Sequence, residues 1–245
     1  MLRKATTILS LFSQERPEWT APEVAAKVRR PKSTVYRLMA QMAEAGFLDQ
    51  DRVTGQFRVG ILLASYGEVA RRSTSLQRVA YPHLLRATET TGESSVLMVR
   101  SGHEGVTIDL LDSYQPLRIP QHLGGRFPLH ATAGGRVFLA WMPEAEVDAI
   151  LRGPLVSCTP RTLTRPAAIL RELALTRKRG YAVGDGEWVE DVCAVAAPIR
   201  DHRGAVVAAV AASSPRPRWN PKKLKALAEA ALTAGHEISR ALGYR

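Results

Sequence analysis

Between Lys27 and Arg37 the chain carries five positive side chains, Lys27, Arg29, Arg30, Lys32 and Arg37, and no acid. The chemistry open to such a cluster is the capture of a polyanion. Val35, Leu38, Met39 and Met42 recur at i, i+3, i+4 and i+7 through the same stretch, which puts them on one side of a helix and leaves Lys32, Ser33, Tyr36, Arg37 and Gln41 on the other. An ammonium, two hydroxyls and the free amides of a first turn converge at Lys32, Ser33 and Thr34, a combination suited to phosphate. Tyr36, Arg37 and Gln41 are better placed for base edges in a major groove about 12 Å wide. A charge run is also the signature of a solvated helix face, so the surrounding elements decide the reading.

Those elements have a definite order. Leu2, Ala5, Leu9 and Phe12 predict a first amphipathic helix running until Pro17. Thr20 with Glu23 three residues later is a capping-box pattern that starts a second helix, with Val24 and Val28 as its apolar stripe. The basic helix follows and Gly46 closes it. Two apolar runs, Phe47-Leu48 and Phe57 to Val59, flank a polar segment with Thr54-Gly55 and predict a β-hairpin carrying Arg52 and Arg58. Helix, helix, helix, hairpin is the order of a winged helix-turn-helix, expected over residues 1–60. The expected DNA contacts are therefore Arg29, Arg30, Lys32, Ser33, Thr34, Tyr36, Arg37, Gln41, Arg52 and Arg58.

Residues 61–75 read as a linker helix, and from 76 to 245 the pattern changes. Strand-like runs SSVLMVR, VTIDLLDS, CAVAAPIRD and AVVAAVAAS alternate with helical stretches near 131–142, 143–151, 166–179 and 221–242. That mixture predicts an α+β domain with a mainly antiparallel sheet. At 245 residues and 45% hydrophobic content the chain can bury a real core, and its net charge of +11 favours an anionic partner. No stretch approaches the roughly 18 apolar residues that would span a bilayer, and MLRKATTILSLF reads as a helix rather than a signal peptide, so no membrane association is expected. The two cysteines, Cys158 and Cys193, form no C-x-x-C pair. Neither a disulfide scaffold nor a metal site is expected, and reduced cytoplasm is the expected compartment.

PKSTVYRLM followed by AGFLDQDRVTGQFRVG resembles the recognition helix and wing of the IclR family of transcription regulators. FPLHATAGGRVFLA at 127–140, TPRTLT at 159–164 and RGYAVGDGEWVEDVCAVAAPIRD at 179–201 are similar to motifs of that family's second domain, so the resemblance covers almost the whole chain. It implies a GAF-like domain that binds a small-molecule effector, a homodimer or dimer of dimers on a double-stranded DNA operator, and frequently repression, with ligand-controlled activation by the same parts as the alternative; no cofactor is expected. It also implies an effector pocket at Ala133, Gly134, Gly184, Ala194, Ala211 and Ser213, with His130 and Asp185 as neighbours.

Several of these positions depart from the family pattern. Relatives often have Asp at the place of Gly184, Cys at that of Ala194 and Ser at that of Ala211, while Cys193 is one residue out of register and would face the other side of its strand. A wall of Ala and Gly is roomier and less polar. Since a buried polar group without a partner costs about 1–3 kcal/mol, a bulkier, aromatic effector is expected over a two- or three-carbon acid. The alternative is that Asp185, Glu187, Trp188 or His130 supplies the polarity instead. Catalysis is not expected: the chain has no G-x-S-x-G elbow, Walker loop or H-E-x-x-H, and its six histidines are scattered.

Overall fold

A computed structural model describes residues 2–13, 16–73, 75–117, 119 and 122–244, so Thr74 of the expected linker lies outside the described residues. The chain divides into two units, residues 1–74 and 75–245.

In the first unit, helices α1 (Leu2–Leu9), α2 (Ala21–Val28) and α3 (Lys32–Glu44) pack with strands β1 (Glu18–Thr20), β2 (Leu48–Gln50) and β3 (Gln56–Val59), which form an antiparallel sheet in the order β1-β3-β2. Ile8, Trp19, Val24, Val35, Met39, Met42, Leu48 and Phe57 make its core. The Thr20 amide donates to the Glu23 carboxylate at 2.8 Å and the Thr20 hydroxyl donates to the same oxygen at 2.7 Å. The amide bond is the largest cause holding the Glu23 carboxyl below its usual range. At the end of α3, Phe47 N–H bonds to Met42 O and Gly46 N–H to Ala43 O, with Gly46 at φ +77°, a Schellman closure. Helix α4 (Ile61–Ser73) follows.

Two differences from expectation have local causes. Helix α1 stops at Leu9 rather than near Pro17, because Leu11 and Phe12 bond three residues back and the Ser10 hydroxyl takes the Thr7 carbonyl. The short strand β1 was not anticipated: its order comes from β3, where Trp19 faces Phe57.

The second unit opens with α5 (Ser75–Thr91) and holds a six-stranded, wholly antiparallel sheet of β4 (Ser94–Ser101), β5 (Glu104–Leu111), β6 (Arg126–Pro128), β7 (Ala182–Asp185), β8 (Val192–Arg200) and β9 (Val206–Pro215), ordered β6-β5-β4-β9-β8-β7. Its helices are α6 (Ala133–Ala140), α7 (Glu144–Leu151), α8 (Pro166–Arg179) and α9 (Pro221–Ala241), with a 3-10 turn, η1, at Arg216–Arg218. The α+β architecture agrees with the sequence pattern. Both faces of the sheet are covered, which explains why its strands read as near-continuous apolar runs. Val96, Met98, Ala196, Ala209 and Ala211 turn toward α6, α7 and α8, while the alternate residues Leu97, Val195, Ala197, Ile199, Val210 and Ala212 turn toward α5 and α9.

Glu93, 1% exposed at its side chain, sits just before β4 and receives Arg218 at 2.6 and 2.8 Å and Lys223 at 3.0 Å. Burial alone raises this carboxyl, but hydrogen bonds from Arg218 and Lys223 and the charges behind them outweigh it and hold the group below its ordinary value of 4.5. The folded state therefore binds this proton less readily than the unfolded chain. Its contribution to stability is complete above about pH 4.5 and is lost as the pH falls further, through the lowered folded value. Urea unfolding at stepped pH should show the second unit losing stability in that acid range, and Glu93→Gln should flatten the acid limb; an unchanged limb would remove Glu93 from the acid response.

Candidate functional site

Two sites follow from this fold, one in each unit. In the first unit, α2 and α3 are joined by a tight turn in which Arg29 caps α2 in the left-handed region at φ 52° and donates its amide to Ala25 O. That is the only non-glycine positive φ among the described residues, and it aims the chain directly into the basic helix. Pro31 precedes α3 and no side chain caps that helix, so its first amides are available to an outside acceptor. Arg29, Arg30, Lys32, Ser33, Thr34, Arg37 and Gln41 are all exposed, and Val35, Met39 and Met42 hold the opposite side in the core. None of Lys27, Arg29, Arg30, Lys32 and Arg37 has an acidic partner among the described residues. Tyr36 is half exposed, and its ring stands edge-on to Phe57 at 6.3 Å between centroids, so it also braces α3 against β3.

Arg52 lies at the exposed tip of the hairpin and Arg58 on β3, 3.8 Å from Asp49. Asp51 orders the tip by accepting the amides of Val53 and Thr54, the first and second causes of its lowered carboxyl pKa. The arrangement is an exposed, cationic helix end followed by a hairpin that carries Arg52 at its tip and balances Arg58 with Asp49.

In the second unit a cavity of about 280 Å³ lies on the α6 side of the sheet. Gly184, Ala194 and Ser213 stand side by side across β7, β8 and β9, and Ala211 and Val96 pair in the next row, giving a floor with little side-chain relief. Ala133 and Gly134 close one end at the first turn of α6, whose N-cap Thr132 accepts the Gly135 amide. At Gly134 a Cβ would lie 2.5 Å from Met98 Sδ, so a larger residue there would displace the end of Met98, which also lines the cavity. Phe127, Ile119, Trp188, Val189 and Val192 supply the apolar walls.

Ala133, Gly134, Gly184, Ala194, Ala211 and Ser213 all line this cavity, but two further expected residues do not. His130 is buried beneath the turn, its Nε2 3.0 Å from Val156 O. Asp185 follows Gly184 on a strand and so faces the other way, where it meets Arg216 at 2.7 Å and Cys193 Sγ at 3.2 Å. The Cys193 thiol is pushed up to about 12 by burial first and by its bond to Asp185 second, so it stays protonated and unreactive at neutral pH. Among the described residues no group of three His, Cys, Asp or Glu could hold a metal.

The pair Arg136–Glu187 was missed as a unit. Arg136 is fully buried, the largest such side chain. It meets Glu187 at 2.9 and 2.7 Å, donates to Val183 O and reaches His130 O at 3.4 Å. Glu187, which lines the cavity, also accepts the Asp185 amide at 3.1 Å. The Thr159 and Thr162 hydroxyls hold the carbonyls of Gly186 and Glu187 at 2.6 Å each, which gives the TPRTLT segment its task. A signal existed: an arginine between Ala133 and Val137 on an otherwise apolar helix demands a buried acid.

A cationic winged helix-turn-helix and a ligand cavity set in an α+β domain define a DNA-binding regulator that responds to a small molecule. The IclR helix-turn-helix domain matches residues 1–52, and the C-terminal domain of bacterial IclR transcriptional regulators matches residues 69–240. The chain belongs to the IclR family. It is similar to the HTH-type transcriptional regulator XynR of Escherichia coli K12, 32% identical over 99% of this chain and 97% of that one. It is also similar to the acetate operon repressor of Salmonella typhimurium, 30% identical over 99% and 89%. Among solved structures, an IclR homolog complexed with 4-hydroxybenzoate from Microbacterium hydrocarbonoxydans superposes with a TM-score of 0.81 at 28% identity, covering 98% of this chain and 99% of that one. These relatives are regulators rather than enzymes.

Breaking the buried pair by Glu187→Ala should cost about 3–5 kcal/mol in urea unfolding, because Arg136 stays behind uncompensated. Joint replacement by Arg136→Met and Glu187→Leu should recover most of that loss. A double variant as unstable as the single would mean that packing, not the stranded charge, sets the cost.

Proposed function

We propose that the protein is a cytoplasmic repressor that reads its operator through α3 and the hairpin and releases it when a bulky aromatic effector enters the cavity of the second domain. Domain limits of 1–60, 61–75 and 76–245 go with this reading. The observation that carries the DNA half is the exposed N-terminal end of α3, whose cations have no acidic partner among the described residues. Arg29, Arg30, Lys32, Ser33 and Thr34 serve the phosphates, Tyr36, Arg37 and Gln41 the bases, and Arg52 and Arg58 the flanking backbone or minor groove. One such module buries only about 600–1,000 Å², and two modules on half-sites about 34 Å or a multiple apart give the needed specificity, so the working form is a homodimer or a dimer of dimers.

The observation that carries the effector half is the low floor of Gly184, Ala194, Ala211 and Ser213 under apolar walls. A planar ring fits a floor without protruding side chains, and the 4-hydroxybenzoate held by a relative supports a ring of that size. Among the described residues Glu187 is the only acid in the wall, and it is already paired with Arg136 at 2.7 Å. Small hydrophilic acids would leave most of the apolar wall unfilled.

Arg37→Ala should relax sequence preference in gel shifts, whereas Lys32→Ala should weaken binding to every sequence and lower the salt dependence by about one unit of slope. Equal losses on all sequences for both variants would take base reading away from Arg37. In calorimetric titrations, benzene carboxylates and phenols should bind while glyoxylate and pyruvate should not; the reverse order would overturn the aromatic assignment. Gly184→Asp, whose Cβ would meet its nearest neighbours at 3.5 Å, should weaken aromatic binding without unfolding the domain.

A further inference from the structure

The cavity is flanked by segments toward opposite edges of the sheet, the described residues 112–117, 119 and 122–125 before β6 and residues 186–191 before β8. Ile119, His122 and Gly125 come from the first, and Glu187, Trp188 and Val189 from the second. One short element touches both. Arg216 donates its backbone amide to Asp191 O at 2.8 Å, its Nε to Glu190 O at 3.1 Å and its Nη2 to Asp185 at 2.7 Å, which brackets the second loop. Arg218, two residues on, donates Nη1 to Leu117 O of the first loop at 3.0 Å while its other nitrogens hold buried Glu93.

This element is the η1 turn, and it is stiff. Pro215, Pro217 and Pro221 fix φ around it, so displacement of one arginine carries the other. It leaves β9 two residues after Ser213 of the cavity floor and runs straight into α9, which Asn220 caps through the Lys223 amide. Helix α9 is tied to α5 at both ends: Lys223 reaches Thr91 O at 3.1 Å, and Glu237 meets His83 at 2.7 Å and Arg86 at 3.0 Å. Helix α5 is the part of this domain nearest in sequence to the DNA-reading unit.

We infer that η1 is a yoke: Arg216 and Arg218 are positioning residues that couple the two cavity-flanking loops to each other and to the start of α9, so that an effector touching either loop is felt at the α5–α9 pair. The inference rests on the cavity being the effector site but not on the effector being aromatic. Neither arginine lines the cavity, so each acts through the loop it holds.

Hydrogen exchange on the full-length, ligand-free protein tests the yoke without any effector. The informative amides are Gly186, bonded across the second loop to Val192 O, and Val192, bonded within it to Val189 O; Ser113 and Gln115, bonded at the base of the first; and Lys223 and Leu224 at the start of α9. Arg216→Gln removes charge-assisted bonds that touch only the second loop, and exchange should rise roughly tenfold at Gly186 and Val192, and also severalfold at Ser113, Gln115, Lys223 and Leu224. Arg218→Lys keeps a charge for Glu93 but loses the forked grip, and should loosen Gly186 and Val192 in return. Central amides of β8 and β9 should be unchanged in both. Acceleration confined to the loop whose own bond was cut, or none at all, would overturn the coupling. General acceleration, including the sheet centre, would assign the arginines to stability alone and overturn it equally.

Discussion

The second domain depends on a sheet buried on both faces whose side chains differ in size from one face to the other. Toward α5 and α9 the central strands present Leu97, Val195, Ile199 and Val210, which fill the space under the helices. Toward α6, β8 and β9 present Ala194, Ala196, Ala209 and Ala211, with Gly184 at the edge, and β4 adds the larger side chains Val96 and Met98. Over that face the first turn of α6 is reduced to Ala133 and Gly134, with the end of Met98 lying where a Cβ at Gly134 would stand, so the small residues of floor and turn leave a gap. The cavity is thus the remainder left by small residues on one side of a well-packed layer, and the packed side keeps it from collapsing.

Keeping a cavity open requires that its loops be held from behind, and here the holding is ionic. Arg136 on α6 grips Glu187 in the cavity wall, Arg216 holds the same loop through Asp185 and Glu190, and Arg218 holds Leu117 of the other loop while pairing with Glu93. Each of these ties has a buried or half-buried carboxylate as its other partner, and charges taken out of water are expensive unless matched. Such pairs contribute little to net stability but strongly penalise alternative loop positions. They specify where the walls stand.

In the first unit the corresponding constraint is the turn at Arg29. A left-handed residue there lets α3 start only three residues later, with Val35, Met39 and Met42 packed against Val24 and Trp19. Because the apolar side is fixed, the cationic side has no choice of direction. The hairpin is set by the same logic: Phe57 is buried, so its neighbours Gln56 and Arg58 face away from that core.

Periodicity and local chemistry made most of this legible. The i, i+3, i+4 spacing through 35–42 sets which side of α3 faces water, and long apolar runs between turn residues mark β4, β5, β8 and β9, because both properties depend only on neighbours within a turn or two. The early end of α1 was hidden by hydroxyls that compete for its carbonyls, and β1 and β6, three residues each, have no pattern of their own and exist because a partner strand supplies their hydrogen bonds. Which way Asp185 and His130 face was a matter of register and of packing beneath the α6 turn, and composition carries neither. The union of Arg136 with Glu187 spans 51 residues of sequence, and that of Arg218 with Glu93 spans 125. The sequence by itself determined the elements and their polar and apolar sides, since these follow from local spacing; only the tertiary structure decided which distant charges meet, since a buried ion needs its partner in space and nothing in the order of residues says where that partner will be.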